Sequence, residues 1–530
     1  MKRTARLLAL LLVAVLALGM LASCGGDGDD DTTTASGGGG DSLGDWSNLN
    51  FSNTSVNIFY NDAVTSVMTD AGAGNSLNFM KGPDDYAEAT RGDYRAAYDR
   101  HARVADALDL KLGVNLKYTM ANWDSNADST LTAIQALNTA ADPDGPSVVI
   151  HQNYGMVRAA ILGELYNALD PDETSYFELT EENGWYVDMM QENTIDTSKI
   201  YMLMGDYTID QLRFSFGVLV NKKLADQALN IYGGLDYIYD CVDAGSWNYD
   251  EMMNLAAYAS NADDGATGDD LIMGVVSDRW VVRNFFASSG IDIFTRDANG
   301  EAFYISSEQD LLKVHNFVDK LLSMEKEAYF SYWWQYANKT LNPSETSHIN
   351  TFVNGGSLFA LNGMILSLEG AQIQNMPDKC GILPNPKYDP LDTEAKYGAL
   401  VSDNANSAGI LISASSDKFT AASAFLQAMS ENSDEFFQKY FVEGLQSRSN
   451  QIGPRHTDML NYIKDGLCSP MSFLFDNYCS KDSGGTTYAT MIYDSLEKGT
   501  NTFMSQWTEQ YNAKISKWSS IKSSFGGRAE

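Results

Sequence analysis

Residues 216–224 read Phe216-Gly217-Val218-Leu219-Val220-Asn221-Lys222-Lys223-Leu224. A strand-like apolar run passes without a long loop into Asn221-Lys222-Lys223-Leu224, which starts a helix. Working outward, the same texture recurs. Residues 56–60 read as a strand ended by Asn61-Asp62, and residues 93–110 carry apolar residues at helical spacing. Residues 114–118 alternate as a strand does. A second helix is centred on Leu131, Ile134 and Leu137, and residues 147–150 form a short apolar run after Pro146. Downstream, residues 274–276, 357–361 and 407–413 are expected strands, with helices around 311–321 and 421–429. Asp250 is the expected cap of a helix over 251–259. Strand–helix alternation of this kind argues for an α/β fold with crossover helices. In such sheets ligands sit beyond the carboxyl ends of strands, which singles out Tyr60, Asn61 and Asp62 and the loop Gln152, Asn153 and Tyr154.

The ends set the context. Lys2, Arg3 and Arg6 precede the apolar run 7–21, the layout of a secretory leader too short to span a membrane comfortably. Leu21-Ala22-Ser23-Cys24 resembles the lipobox of bacterial lipoproteins, in which the cysteine is acylated and becomes the N-terminus. Residues 25–45 are glycine, aspartate and threonine with almost nothing apolar, a flexible tether reaching roughly 25 Å. No second apolar run reaches membrane length, so the rest is expected to be a soluble body. Its length calls for two or three lobes. The net charge of −34 argues against a nucleic-acid partner. Cys241, Cys380, Cys468 and Cys479 allow three complete pairings, among which spacing does not choose. The acidic loop 262–270 lacks calcium-loop spacing, so no metal is expected there, and no cofactor motif is present.

Five segments carry a further resemblance. The 216–224 stretch is similar to the strand–Asn-Lys–helix segment of the extracellular sugar-binding proteins of ABC transporters. Gly245-Ser246-Trp247-Asn248-Tyr249-Asp250-Glu251, Phe352 to Ala360, Leu383-Pro384-Asn385-Pro386-Lys387 and Ala421 to Leu426 resemble that family's later motifs, in the family's order. The chain thus resembles a family 1, maltose-binding-protein-like lipoprotein, closest to large sugar-binding lipoproteins of Gram-positive gut bacteria. That resemblance implies a two-lobed periplasmic-binding-protein-like fold with a hinge and a central ligand cleft. It implies a leader over 1–23, a lipid-anchored linker over 24–45, one lobe from 46–206 and 404–435, and the other from 207–403 and 436–530. Crossings between lobes are expected near 205–207, 400–404 and 436–445. The implied partners are a carbohydrate, the transporter permease, and the membrane through Cys24, for a monomer on the extracytoplasmic face.

A sugar presents apolar C–H faces and a rim of hydroxyls, so its site needs aromatic faces with carboxylates and amides around them. Asp278, Arg279 and Trp280 meet that need at one strand end; alternatively Trp280 packs under the next helix with Phe285 and Phe286. The loop Gln152-Asn153-Tyr154 matches a family ligand loop, though Asn153 could simply cap a helix. Asp206 and Tyr207 lie at an implied crossing, or in a surface turn. Tyr332, Trp333, Trp334 and Tyr336 make a sugar platform, a core wedge or a permease-docking face. Asn362 ends a strand toward the cleft, Asp403 lies at the second crossing, and Met364 stands where the family often has an aromatic. No GxSxG, HExxH, Walker A or GxGxxG segment occurs, so an enzyme finds no motif. Two carboxylates suffice for a glycosidase, so a glycan hydrolase, a peptide- or other solute-binding lipoprotein, and an adhesin remain as alternatives.

Overall fold

The computed structural model describes residues 46, 49–51, 53–61, 92–116, 126–266, 268–278, 280–332, 347–446, 455–483 and 485–525. Its first sheet begins with β1 (Ser55–Tyr60), β2 (Lys111–Leu116) and β3 (Val148–Gln152). β1 pairs in parallel with both others, Ile58 lying opposite Val114 on one side and Val148 on the other. Parallel neighbours need crossovers, and the helices Gly92–Ala107 and Asn126–Ala140 lie between these strands in the chain. Both faces are therefore covered, which is why β3 is apolar without alternation: Val148, Val149 and Ile150 are all fully buried.

The second sheet starts at β4 (Phe216–Asn221) and continues with β5 (Met273–Val276). A small hairpin of β6 (Phe294–Arg296) and β7 (Ala302–Tyr304) stands apart. β8 (Phe330–Ser331), β9 (Ser357–Met364) and β10 (Cys380–Leu383) complete the second sheet, in the order β10-β4-β9-β5-β8. Asn221 Oδ1 accepts the Leu224 amide at 3.1 Å, so the residue that ends β4 also caps the Lys222–Ala228 helix. Gly217 is required by a close approach: a Cβ there would sit 2.6 Å from the Leu383 carbonyl of β10. One expected cap is displaced. Asn248, not Asp250, accepts the Glu251 amide at 3.0 Å, and the helix runs Tyr249–Ala259.

Two short strands, β11 (Ala399–Leu400) and β13 (Leu467–Cys468), pair in parallel, while β12 (Asn406–Ile410) returns to the first sheet. β12 lies antiparallel to β3, giving the order β12-β3-β1-β2. Each sheet with its helices forms a lobe, and the two-lobed α/β class expected from the sequence is the one observed. Two of the connections between lobes run side by side, joined by antiparallel bridges Leu203–Ala408 and Ser215–Val401. Arg100 ties the first of them, and Ser433 after the Ser416–Glu431 helix, to the Gly92–Ala107 helix, donating to the carbonyls of Asp206 at 2.9 Å and Tyr207 at 3.2 Å and to Ser433 Oγ at 2.6 Å. A second knot is fully interior. Arg213 Nε and Nη2 donate to the two carboxylate oxygens of Glu369 at 2.9 and 3.0 Å, and Tyr440 donates to Oε1 at 2.7 Å.

The helices Tyr488–Glu497 and Phe503–Ser524 pack on Glu308–Glu325, beside the second sheet. The four body cysteines are free thiols. Among the described residues no helix is long and apolar enough to cross a membrane, and no group of three or more His, Cys, Asp or Glu is placed to hold a metal ion.

Candidate functional site

A cavity of about 930 Å³ collects residues from both sheets and from the second connection. β3 delivers Gln152 and Tyr154, β5 delivers Asp278, Trp280 and Arg283, and β9 delivers Asn362 and Met364. The second connection adds Leu400, Ser402, Asp403 and Asn404. The position obeys the carboxyl-end rule, since β3, β5 and β9 all terminate there. Its volume lies within the range of small-molecule sites.

The polar groups are held by specific bonds. Asp278 Oδ1 accepts the amides of Trp280 at 2.9 Å and Val281 at 3.1 Å, so the carboxylate caps the Val281–Ser288 helix. Asn362 Nδ2 donates to Asp278 Oδ1 at 3.0 Å and Oδ2 at 3.1 Å. Asn362 has φ of 61°, a left-handed conformation that asparagine tolerates better than most residues. Its Oδ1 is buried with no hydrogen-bond partner. Gln152 Nε2 donates to Asn404 Oδ1 at 3.3 Å, linking the first lobe to the second connection. Asp403 Oδ1 accepts from Ser402 Oγ at 3.3 Å and Asn404 Nδ2 at 3.2 Å. Burial pushes the His348 imidazole down to about 4, so this lining residue is neutral at pH 7.

Trp280 does not pack under its helix with Phe285 and Phe286. Those two rings are fully buried, whereas Trp280 is 43% exposed and faces the cavity. The Arg283 guanidinium, one turn on, lies 4.3 Å from the indole centroid.

Gln152, Tyr154, Asp278, Trp280, Asn362 and Asp403 thus share one cavity. Other candidates go elsewhere. Tyr60 and Asn61 do not line it: Tyr60 Oη donates to Asp210 at 3.3 Å, and Asn61 Nδ2 to Asn406 Oδ1 at 3.1 Å, within a buried network under the connections. Asn153 is fully buried and neither lines the cavity nor caps the Asn153–Ile161 helix. Tyr207 is also interior, its hydroxyl donating to the Leu203 carbonyl at 2.8 Å. Asp206 borders a separate hollow of about 630 Å³, paired with Lys464 at 2.8 Å and with the Tyr186 hydroxyl. Tyr332 is core. Asp62, Arg279, Trp333, Trp334 and Tyr336 lie outside the described residues, as does Cys24.

The sequence reading missed a whole wall. Phe473, Asn477, Ser480, Thr487 and Thr490 come from the C-terminal segment. Phe473 lies in the Ser472–Asp476 π-helical turn, a feature that often marks functional positions. Arg283 could have been found from its position three residues after Trp280 on a helix; the C-terminal wall had no local signal.

No family model matches the chain, and no curated protein matches it. Among solved structures, an uncharacterized protein of Listeria monocytogenes EGD-e aligns with 87% of this chain and 98% of its own, with TM-score 0.53 and 11% identity. The GacH receptor of Streptomyces glaucescens GLA.O, solved unliganded and with acarbose, aligns over 87% and 98% with TM-score 0.46 and 11% identity. A family 1 extracellular solute-binding protein of Bifidobacterium longum subsp. infantis aligns over 88% and 99% with TM-score 0.46 and 13% identity. At 11% identity, the likeness to the Listeria protein is one of fold.

Proposed function

We propose that this chain is the ligand-capturing lipoprotein of an ABC importer. In this reading acylated Cys24 holds it on the extracytoplasmic face, and the body takes a carbohydrate, an oligosaccharide, into the cavity and delivers it to the permease. The observation that carries this is the composition of the cavity: Tyr154, Phe216, Trp280 and Phe473 supply ring faces, while Gln152, Asn362, Asp403 and Thr487 supply rim hydrogen bonds. Rings suit the C–H faces of a pyranose, and amides and carboxylates suit its hydroxyls. Because the walls come from both lobes, a ligand that touches both favours closure about the two paired connections. Capture without chemistry fits Asp278, whose oxygens already accept amide hydrogens from Trp280, Val281 and Asn362.

The test is thermal-shift screening of the purified body against glycans and short peptides, followed by calorimetry and recovery of the ligand. A ligand at a hundred times its Kd stabilises the folded state by about 2.7 kcal/mol. Stabilisation by a glycan recovered intact supports the proposal. Shifts with peptides alone, or conversion of the glycan to products, overturn it.

A further inference from the structure

Arg283 has an unusual situation for this composition. The chain carries 70 acidic against 36 basic residues, so an arginine with neither an ion pair nor a hydrogen bond is the exception. Arg283 is half-buried in the cavity wall, and its guanidinium forms no hydrogen bond or ion pair among the described residues. Its contacts are with ring faces: the carbon centre lies 4.3 Å from the Trp280 centroid and 5.8 Å from that of Phe473. A guanidinium lying over aromatic rings spends none of the N–H donors along its planar edge on a conventional hydrogen bond. That edge is the part that binds a carboxylate through two parallel hydrogen bonds. Among the described lining residues Arg283 is the one cation, because His348 is neutral. Asp278 does not offset it through a direct bond, being occupied by the helix amides and by Asn362. Nearby, the buried Asn362 Oδ1 lacks a donor, as a site awaiting a ligand hydroxyl would.

Resting on the carbohydrate reading above, we propose that the ligand is an acidic saccharide: a uronate whose carboxylate meets the edge of Arg283 while a hydroxyl donates to Asn362 Oδ1. Trp280 and Phe473 then have two tasks, holding the guanidinium in orientation and covering the apolar side of the sugar.

The test uses matched probes that differ only in charge. Oligogalacturonides, oligoguluronates and oligomannuronates are titrated calorimetrically into the body alongside their methyl esters and neutral cello-, xylo- and malto-oligosaccharides. Sulfated disaccharides form a separate arm that distinguishes sulfate from carboxylate as the anion. One acid should bind at least tenfold more tightly than its own ester. Arg283→Gln should bring that ratio close to one, and Arg283→Lys should recover part of it. A charge-assisted bidentate contact is consistent with a change of about ten- to hundredfold. Neutral glycans bound as tightly as acids, sulfated sugars preferred over uronates, or an acid preference surviving Arg283→Gln overturn this inference and leave carbohydrate capture standing. Failure of every saccharide to bind overturns the carbohydrate reading itself, and the inference with it. The acid–ester comparison on the unaltered chain decides the matter even if the variants fold poorly.

Discussion

Glu369→Gln should be among the most damaging near-isosteric substitutions in this chain. The Glu369 and Arg213 side chains are 6% and 3% exposed, and Tyr440, which also donates to Glu369, is fully buried. Burial would lower the Arg213 pKa, but Glu369 in first place, then Tyr440 and Asp210, reverses that and drives it upward. Arg213 Nη1 already lacks an acceptor, so the carboxylate is its chief compensation. Glutamine keeps the shape but removes the charge and turns an N–H₂ toward donors. Coulomb attraction at about 4 Å and an effective dielectric near 20 is about 4 kcal/mol. Measured losses on breaking buried pairs, about 3–5 kcal/mol, agree with that scale. Urea unfolding of the body, with the slope m compared between variants, reads the loss directly. The double variant Arg213→Met/Glu369→Leu should recover most of it, because replacing both charges also removes the need to desolvate them. A loss below about 1 kcal/mol at unchanged m would refute the reasoning.

Trp280→Ala should weaken ligand binding by about 2 kcal/mol or more, roughly thirtyfold. Because the ring is 43% exposed, apo melting should move little; a collapsed melting temperature or unchanged calorimetric affinity would refute a platform role. Burial first, then Asp292, raises Glu192 to about 7, and burial raises Asp292 to about 6. Acids with raised folded pKa values bind protons more tightly in the folded state, so their contribution to stability is lost as pH rises from about 4.5 through 7. Glu192→Gln should flatten that decline by about 1–3 kcal/mol in urea titrations, and identical pH profiles would contradict it. Cys24→Ala should leave the body folded but release it from washed membranes; retention would place the anchor elsewhere.

Much of the sheet was legible because strands buried on both faces need unbroken apolar runs, which 148–150 and 274–276 supply, while 56–60 is broken only by the half-buried Asn57. Local chemistry misled where two residues offered the same service. Asn248 and Asp250 are both competent caps, but Trp247, whose Nε1 donates to the Pro384 carbonyl at 2.9 Å, directs the chain so that Asn248 is the last extended residue. Tyr60-Asn61 and Gln152-Asn153-Tyr154 looked equivalent as strand ends. Their fates diverge because the first pair meets Asp210 and Asn406, partners 150 and 345 residues away. The C-terminal wall of the cavity is likewise a product of tertiary packing, far in sequence from the strand ends it faces.

The four free body thiols have a practical consequence. Burial raises the pKa of each one, Cys479 to about 12, so almost no thiolate is present near neutrality and alkylating reagents find little to attack. In a Cys24→Ala background the native chain is therefore close to blank for maleimide dyes without deleting any core cysteine. One cysteine introduced at the exposed Thr174, whose carbonyl accepts from Thr420 of the Ser416–Glu431 helix, and one at Leu391, 89% exposed beyond β10, would accept a donor–acceptor pair selectively. Energy transfer between them would then follow the approach of the lobes, one molecule at a time, in the folded chain.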